Sequence, residues 1–106
     1  KIVPLSKSVI NIGRKSSNQI IINDLRISRI HAQIRRIQGS YVLFDVGSTG
    51  GTYVNSTRIN QHILRPGDVI SLAGYTMIYS EDQVVQPEET KEKTAEIKPQ
   101  VQEEKS

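Results

Sequence analysis

The stretch Ile30-His31-Ala32-Gln33-Ile34-Arg35-Arg36-Ile37-Gln38-Gly39-Ser40-Tyr41-Val42-Leu43-Phe44-Asp45-Val46 holds the clearest periodicity in the chain. Ile30, Ala32 and Ile34 alternate with His31, Gln33 and Arg35, the two-residue period of a strand with one buried face. Gly39-Ser40 interrupts the pattern, and Tyr41 to Val46 follows as a second β-branched and aromatic run. Two such runs across a short turn predict a β-hairpin.

Outward from this hairpin the same grammar repeats. Ile2-Val3, Val9-Ile10-Asn11-Ile12 and Ile20-Ile21-Ile22 precede it. Tyr53-Val54, Ile63-Leu64, Val69-Ile70-Ser71-Leu72 and Tyr75 to Tyr79 follow. Gly, Pro, Asn, Asp or Ser separates each run from the next, and no window sustains a 3.6-residue period. Many short strands punctuated by turn residues predict an all-β sandwich or barrel.

Composition bounds the rest. A chain of 106 residues has room for one domain at the usual ~100–200 residues per domain. The absence of cysteine excludes disulfide scaffolds, thiolate-ligated metal and a thiol nucleophile. No apolar run approaches the ~18 residues of a membrane span, and no secretory leader is recognisable at the start. The first residue is not Met and already lies in a strand-like pattern, so the expectation is an intracellular, cytoplasmic module cut from a longer protein.

Charge divides the chain in two. Residues 1–80 carry ten Lys and Arg against three Asp, and residues 81–106 carry four Lys against eight Asp and Glu. The second part is rich in Glu, Gln, Lys and Pro. Its isolated apolar residues cannot offset an ordering cost of roughly 1–2 kcal/mol per residue. The sequence therefore predicts a domain over 1–80 and a disordered acidic tail or linker over 81–106. A basic body calls for an anionic partner: nucleic acid, a phosphate group or the tail itself.

Loops at one end of a β-sandwich are where function is expected, and three are distinctive. Gly13-Arg14-Lys15-Ser16-Ser17-Asn18 follows the second run, Asn23 to Arg29 precedes His31, and Gly47-Ser48-Thr49-Gly50-Gly51-Thr52 follows the hairpin. Gly13-Arg14, then Ser28-Arg29-Ile30-His31, then Gly47 to Thr52 running into Tyr53-Val54-Asn55, then Leu64-Arg65-Pro66-Gly67-Asp68-Val69-Ile70, stand in the order and spacing of a forkhead-associated (FHA) domain. Each motif alone is weak, and the four in register are specific. Over residues 1–80 the chain resembles that family. The resemblance implies an antiparallel sandwich of about eleven short strands, FHA/SMAD-like, whose end loops bind phosphothreonine peptides.

The residue types suit that chemistry. A phosphothreonine carries roughly −1.5 to −2 charges at neutral pH. Arg14 can offer a permanently charged planar fork, and Ser28 a hydroxyl donor. By family analogy Arg29 and Thr49 also face the phosphate. The resemblance also implies that Gly13, Gly51 and His31 support the loops, with both His31 ring nitrogens tying neighbouring loops together rather than serving a catalytic triad. His62 has no partner cluster in the sequence, so no histidine metal site is expected.

At one position the chain departs from the family, which usually places Asn where Gly50 stands and uses its amide to clamp the peptide main chain. Glycine keeps access to positive φ, so the turn is expected to survive. It cannot replace the amide, whose hydrogen bonds are worth roughly 0.5–1.5 kcal/mol each. An FHA fold acting independently of phosphate is thus one alternative.

A basic nucleic-acid-binding β-barrel is another, although the cations are dispersed and aromatic residues are few. An enzyme is disfavoured, because the sequence has no P-loop or thiol and Asp24, Asp45 and Asp68 are well separated. No cofactor, metal or membrane contact is expected. Thr90 and Thr94 in the tail raise one further prospect: once phosphorylated, either could occupy its own domain's site.

Overall fold

A computed structural model describes residues 1–87, and these form two packed β-sheets. Eleven strands follow in chain order: β1 (Ile2–Pro4), β2 (Val9–Gly13), β3 (Ile20–Ile21), β4 (Ala32–Ile37), β5 (Ser40–Asp45), β6 (Thr52–Val54), β7 (Thr57–Arg58), β8 (Gln61–Ile63), β9 (Val69–Leu72), β10 (Tyr75–Ser80) and β11 (Gln83–Val85). One sheet has the order β1-β11-β10-β9-β6-β7 and the other β3-β2-β4-β5-β8. Every pairing is antiparallel except the short parallel contact of β2 with β3. No helix among the described residues is long and apolar enough to cross a membrane.

The period-two pattern does the packing. Ile10 and Ile12 of β2, Ile34 of β4 and Leu43 of β5 point inward from one sheet. Val54, Ile70, Leu72, Met77, Tyr79 and Val84 meet them from the other. Tyr41 and Tyr79 contact edge to face across the layers, with centroids 6.3 Å apart. The Tyr41 hydroxyl donates to the Leu5 carbonyl at 2.8 Å, which gives a buried phenol the partner it needs.

The hairpin forms as β4 and β5, with two corrections. Its turn residues are Gln38 and Gly39, both at positive φ, while Ser40 already pairs with Ile37. That is the two-residue turn whose twist matches its flanking strands. The strand also starts at Ala32 rather than Ile30. Ile30 is exposed and His31 fully buried, so alternation begins only after the loop that precedes β4 has closed.

The expected boundary at residue 80 falls short of the sandwich. β11 pairs with β1 on one side and β10 on the other, and Val84 is fully buried. Composition hid this strand because its stability comes from two ladders and one inward side chain, not from an apolar run. The predicted tail from residue 88 onward, with Thr90 and Thr94, lies outside the described residues. β7 also went unread, since it is a two-residue pairing created by the Asn55-Ser56 turn at positive φ.

Topology brings four connections to one end. The end of β2, the start of β4 and the end of β5 are neighbours through the Ile12–Ala32 and Ala32–Asp45 pairs. In the facing sheet, Thr52 at the start of β6 pairs with Leu72 at the end of β9. The β2–β3, β3–β4 and β5–β6 loops and the Ala73-Gly74 turn therefore share a rim.

Candidate functional site

The first two loops are knitted through their main chains. Arg14 N–H donates to the Ser28 carbonyl at 3.1 Å, and Lys15 N–H to the Arg29 carbonyl at 3.0 Å. The buried Asn18 amide donates to the Lys15 and Arg29 carbonyls at 2.7 and 2.8 Å. This proximity accounts for Gly13: a Cβ there would sit 2.3 Å from the Arg29 oxygen.

Arg14 is held by its Nε, which donates to the carbonyl of the buried Ile27 at 3.1 Å. Its two terminal nitrogens have no protein partner among the described residues. Arg26 differs. Its Nε and Nη2 reach the Asp24 carboxylate at 3.0 and 2.7 Å, and its N–H caps the same carboxylate at 2.9 Å. Those hydrogen bonds, side chain first and backbone second, lower the Asp24 pKa to about 2 and raise that of Arg26. Arg26 is thus charge-compensated and Arg14 is not.

His31 couples the second loop to the third. Ser28 N–H donates to Nδ1 at 3.1 Å, which makes Nδ1 the acceptor and leaves Nε2 to donate to the Gly51 carbonyl at 2.8 Å. Both ring nitrogens are thereby satisfied in a neutral tautomer. The Ser28 hydroxyl accepts from Thr49 N–H at 3.1 Å, and its own proton has no acceptor among the described residues.

Asp45 organises the third loop. Its carboxylate accepts from the Ser48 hydroxyl, from Ser48 N–H at 3.2 Å and from the Thr52 hydroxyl at 2.7 Å. The Ser48 oxygen in turn accepts from Gly51 N–H at 2.9 Å. Partial burial pushes the Asp45 pKa up, and the hydrogen bonds from Ser48 and Thr52 outweigh it to leave the group below its ordinary value. Positive φ falls at Gly47 and Gly51 but not at Gly50. The turn survives at Gly50, as expected, without drawing on the positive-φ freedom that glycine would allow there.

Between these loops lies a groove of about 440 Å³ lined by Arg14, Arg26, Ser28, Thr49, Gly50 and Ala73, with the 89% exposed Leu25 also on its wall. Gly13, His31 and Gly51 stand behind it. Arg29 is exposed, does not line the groove, and contributes its carbonyl to the loop framework. Two larger hollows exist. One of about 600 Å³ has a neutral lining that includes Tyr53, Ser71 and Thr76. In the other, of about 510 Å³, His62 pairs with Asp68 at 3.0 Å, so His62 has the partner that sequence alone did not show. Of these three hollows among the described residues, the loop groove is the one that joins an uncompensated guanidinium to a free hydroxyl proton.

Sequence reasoning placed Asn18 in the first loop without a role, and missed Asp45 and Ala73 as parts of this rim. Asp45 and Ser48 stand three apart at the start of a glycine loop, a spacing that favours side-chain capping of a turn and could have identified both.

Comparison with known proteins gives concordant findings. A family model described as FHA domain matches residues 10–73. The chain is 35% identical over 77 residues to an oxoglutarate dehydrogenase inhibitor of Corynebacterium diphtheriae, covering 73% of this chain and 54% of that protein. It thus spans about half the length of the curated relatives it matches. The FHA-2 domain of the Mycobacterium tuberculosis ABC transporter Rv1747 superposes with a TM-score of 0.71 at 29% identity, covering 81% of this chain and 80% of that one. A structure from work on phosphothreonine-dependent FHA domain interactions superposes with a TM-score of 0.64 at 30% identity, over 81% and 82% of the two chains.

Proposed function

Because the chain belongs to the FHA domain family, we propose that it is a non-enzymatic module that binds phosphothreonine in a protein partner through the groove between its end loops. One observation carries this reading. Arg14, tethered by Nε to Ile27, leaves its terminal nitrogens open beside a Ser28 hydroxyl whose acceptor side is already filled by Thr49 N–H. The site therefore offers donors and a fixed positive charge, the complement of a phosphate with acceptor oxygens only.

Each residue has a distinct part. Arg14 supplies charge and a fork, Ser28 a hydroxyl proton, and Thr49 a second hydroxyl and its place in the loop. Arg29 adds positive potential from the surface. His31, Asp45 and Asn18 hold the loops so that little ordering cost falls on binding. A nucleic-acid reading is less well supported, because Arg35 and Arg36 already stack on Phe44 and Tyr41 at 5.3 and 5.4 Å.

The partner is a Ser/Thr-kinase substrate, and the chain's own tail is a candidate when phosphorylated at Thr90 or Thr94. A short tether supplies ~mM effective concentration, enough to fill even a weak site. The reading predicts that the chain binds a fluorescein-labelled degenerate phosphothreonine peptide library and ignores the unphosphorylated one. Losing Arg14 forfeits charge-assisted bonds of about 1.5–3 kcal/mol each, so Arg14→Ala should weaken binding at least ~10-fold. Equal anisotropy change with both libraries, or binding indifferent to Arg14→Ala, would refute the reading.

A further inference from the structure

Gly50 and Ala73 meet where the third loop crosses the turn between β9 and β10. A Cβ built on Gly50 would lie 2.8 Å from the Ala73 methyl carbon, 3.6 Å from its Cα and 3.7 Å from the Arg26 carbonyl. The first contact is closer than carbon atoms tolerate, and a methyl group has no rotamer by which to leave. Ala73 itself has φ of 49°, a left-handed conformation that disfavours a Cβ, in a two-residue turn closed by the Leu72–Tyr75 pair. A side chain has therefore been placed at 73 against local preference, in the space where a side chain at 50 would begin.

Neither wall is free to retreat. The loop is anchored on one side of Gly50 by Thr49 N–H on Ser28, and on the other by Gly51 through His31 and Ser48. The turn is anchored by the β9–β10 ladder. Gly50 and Ala73 also line the same groove, so whatever fills this space faces the ligand.

We infer that Ala73 is a positioning residue that excludes any side chain at position 50, and that it thereby sets how strongly the third loop can hold a peptide main chain. The binding half of this inference rests on the phosphothreonine reading; the steric half does not. Placing Asn at position 50 cannot by itself add a clamp here, because the amide would arrive with a displaced loop. Removing the methyl at 73 opens the position and relaxes the left-handed turn together.

Four chains test it: the parent, Gly50→Asn, Ala73→Gly, and the double variant, each compared by melting temperature and by affinity for the degenerate phosphothreonine library. Gly50→Asn should melt lower and bind several-fold more weakly than the parent. Ala73→Gly should melt no lower, and because position 73 lines the groove its own affinity is the baseline for the double variant. The double variant should regain the melting temperature of Ala73→Gly and bind about 2–10-fold tighter than Ala73→Gly, the yield of one added amide hydrogen bond. Melting changes that simply add, with no rescue of Gly50→Asn by Ala73→Gly, would overturn the steric pair. Rescued melting with unimproved affinity would overturn the role of position 73 in peptide binding. Rescued melting with no library binding by any chain would instead retire the phosphothreonine reading and leave the steric pair standing.

Discussion

Asp45→Asn should unhinge the third loop while leaving the sandwich folded, and its size can be worked from the contacts. The carboxylate accepts three hydrogen bonds, from the Ser48 hydroxyl, Ser48 N–H and the Thr52 hydroxyl. Asparagine keeps one acceptor oxygen and replaces the other with an NH2 that opposes a donor. At about 1.5 kcal/mol or more for each charged hydrogen bond, less what the remaining oxygen retains, the loss at pH 7 is about 2–3 kcal/mol. The buried Thr52 hydroxyl shares Oδ1 with that of Ser48, so the amide oxygen keeps both at the lower strength of an uncharged acceptor while the NH2 opposes Ser48 N–H. For a domain of this size that lowers the melting temperature by about 10–20 °C.

The same variant has a pH signature. The Asp45 pKa in the folded protein lies below its ordinary 3.8. Its contribution is therefore complete above that value and drains away as pH falls through the lower folded pKa. Urea unfolding of parent and Asp45→Asn between pH 7 and pH 2 should show a stability gap constant down to about pH 4 that closes below it. Asp24 and Asp68 also titrate low, but they are common to both chains and cancel in the difference. A gap under about 0.5 kcal/mol at pH 7, or one unchanged at pH 2, would refute the account of Asp45 as an ionised loop organiser.

Three other outcomes follow from the geometry. Gly13→Ala sets a Cβ against the Arg29 carbonyl at 2.3 Å, and backbone cannot swing aside. It should cost at least ~2 kcal/mol in chemical denaturation and raise amide exchange in the first two loops. Ending the chain after Ser80 removes β11 and the buried Val84, so residues 1–80 should give a collapsed proton NMR spectrum whereas 1–87 stays dispersed. Asp24→Asn breaks an exposed ion pair and should shift stability by no more than ~1 kcal/mol. It releases the Arg26 charge beside the groove, and should therefore steepen the salt dependence of phosphopeptide binding.

What was legible in the sequence follows how local each signal is. The hairpin around Gln38-Gly39 was readable because turn and strand pattern are adjacent in the chain. The same holds for the runs that became β2, β9 and β10, whose inward residues repeat every second position. β11 was not readable, because Val84 acquires its value only when β1 and β10 close on either side of it. His31 broke the strand pattern for a related reason. Its burial answers to Ser28 and Gly51, on two different loops, rather than to the strand it precedes.

The rim shows the same division. Arg14, Ser28 and Thr49 belong to short motifs, and they do line one groove. Asp45 lies three residues from Ser48, near enough for the pair to have been recognised. Ala73 had no such chance. It lies in a different sheet from the strand that leads into the third loop, within a turn whose sequence gives no hint that a methyl group closes a space above Gly50. An altered residue in a motif read along the chain looks like a simple loss of an amide. In three dimensions Gly50 is one half of a packed contact, and the other half has to change before the amide can return.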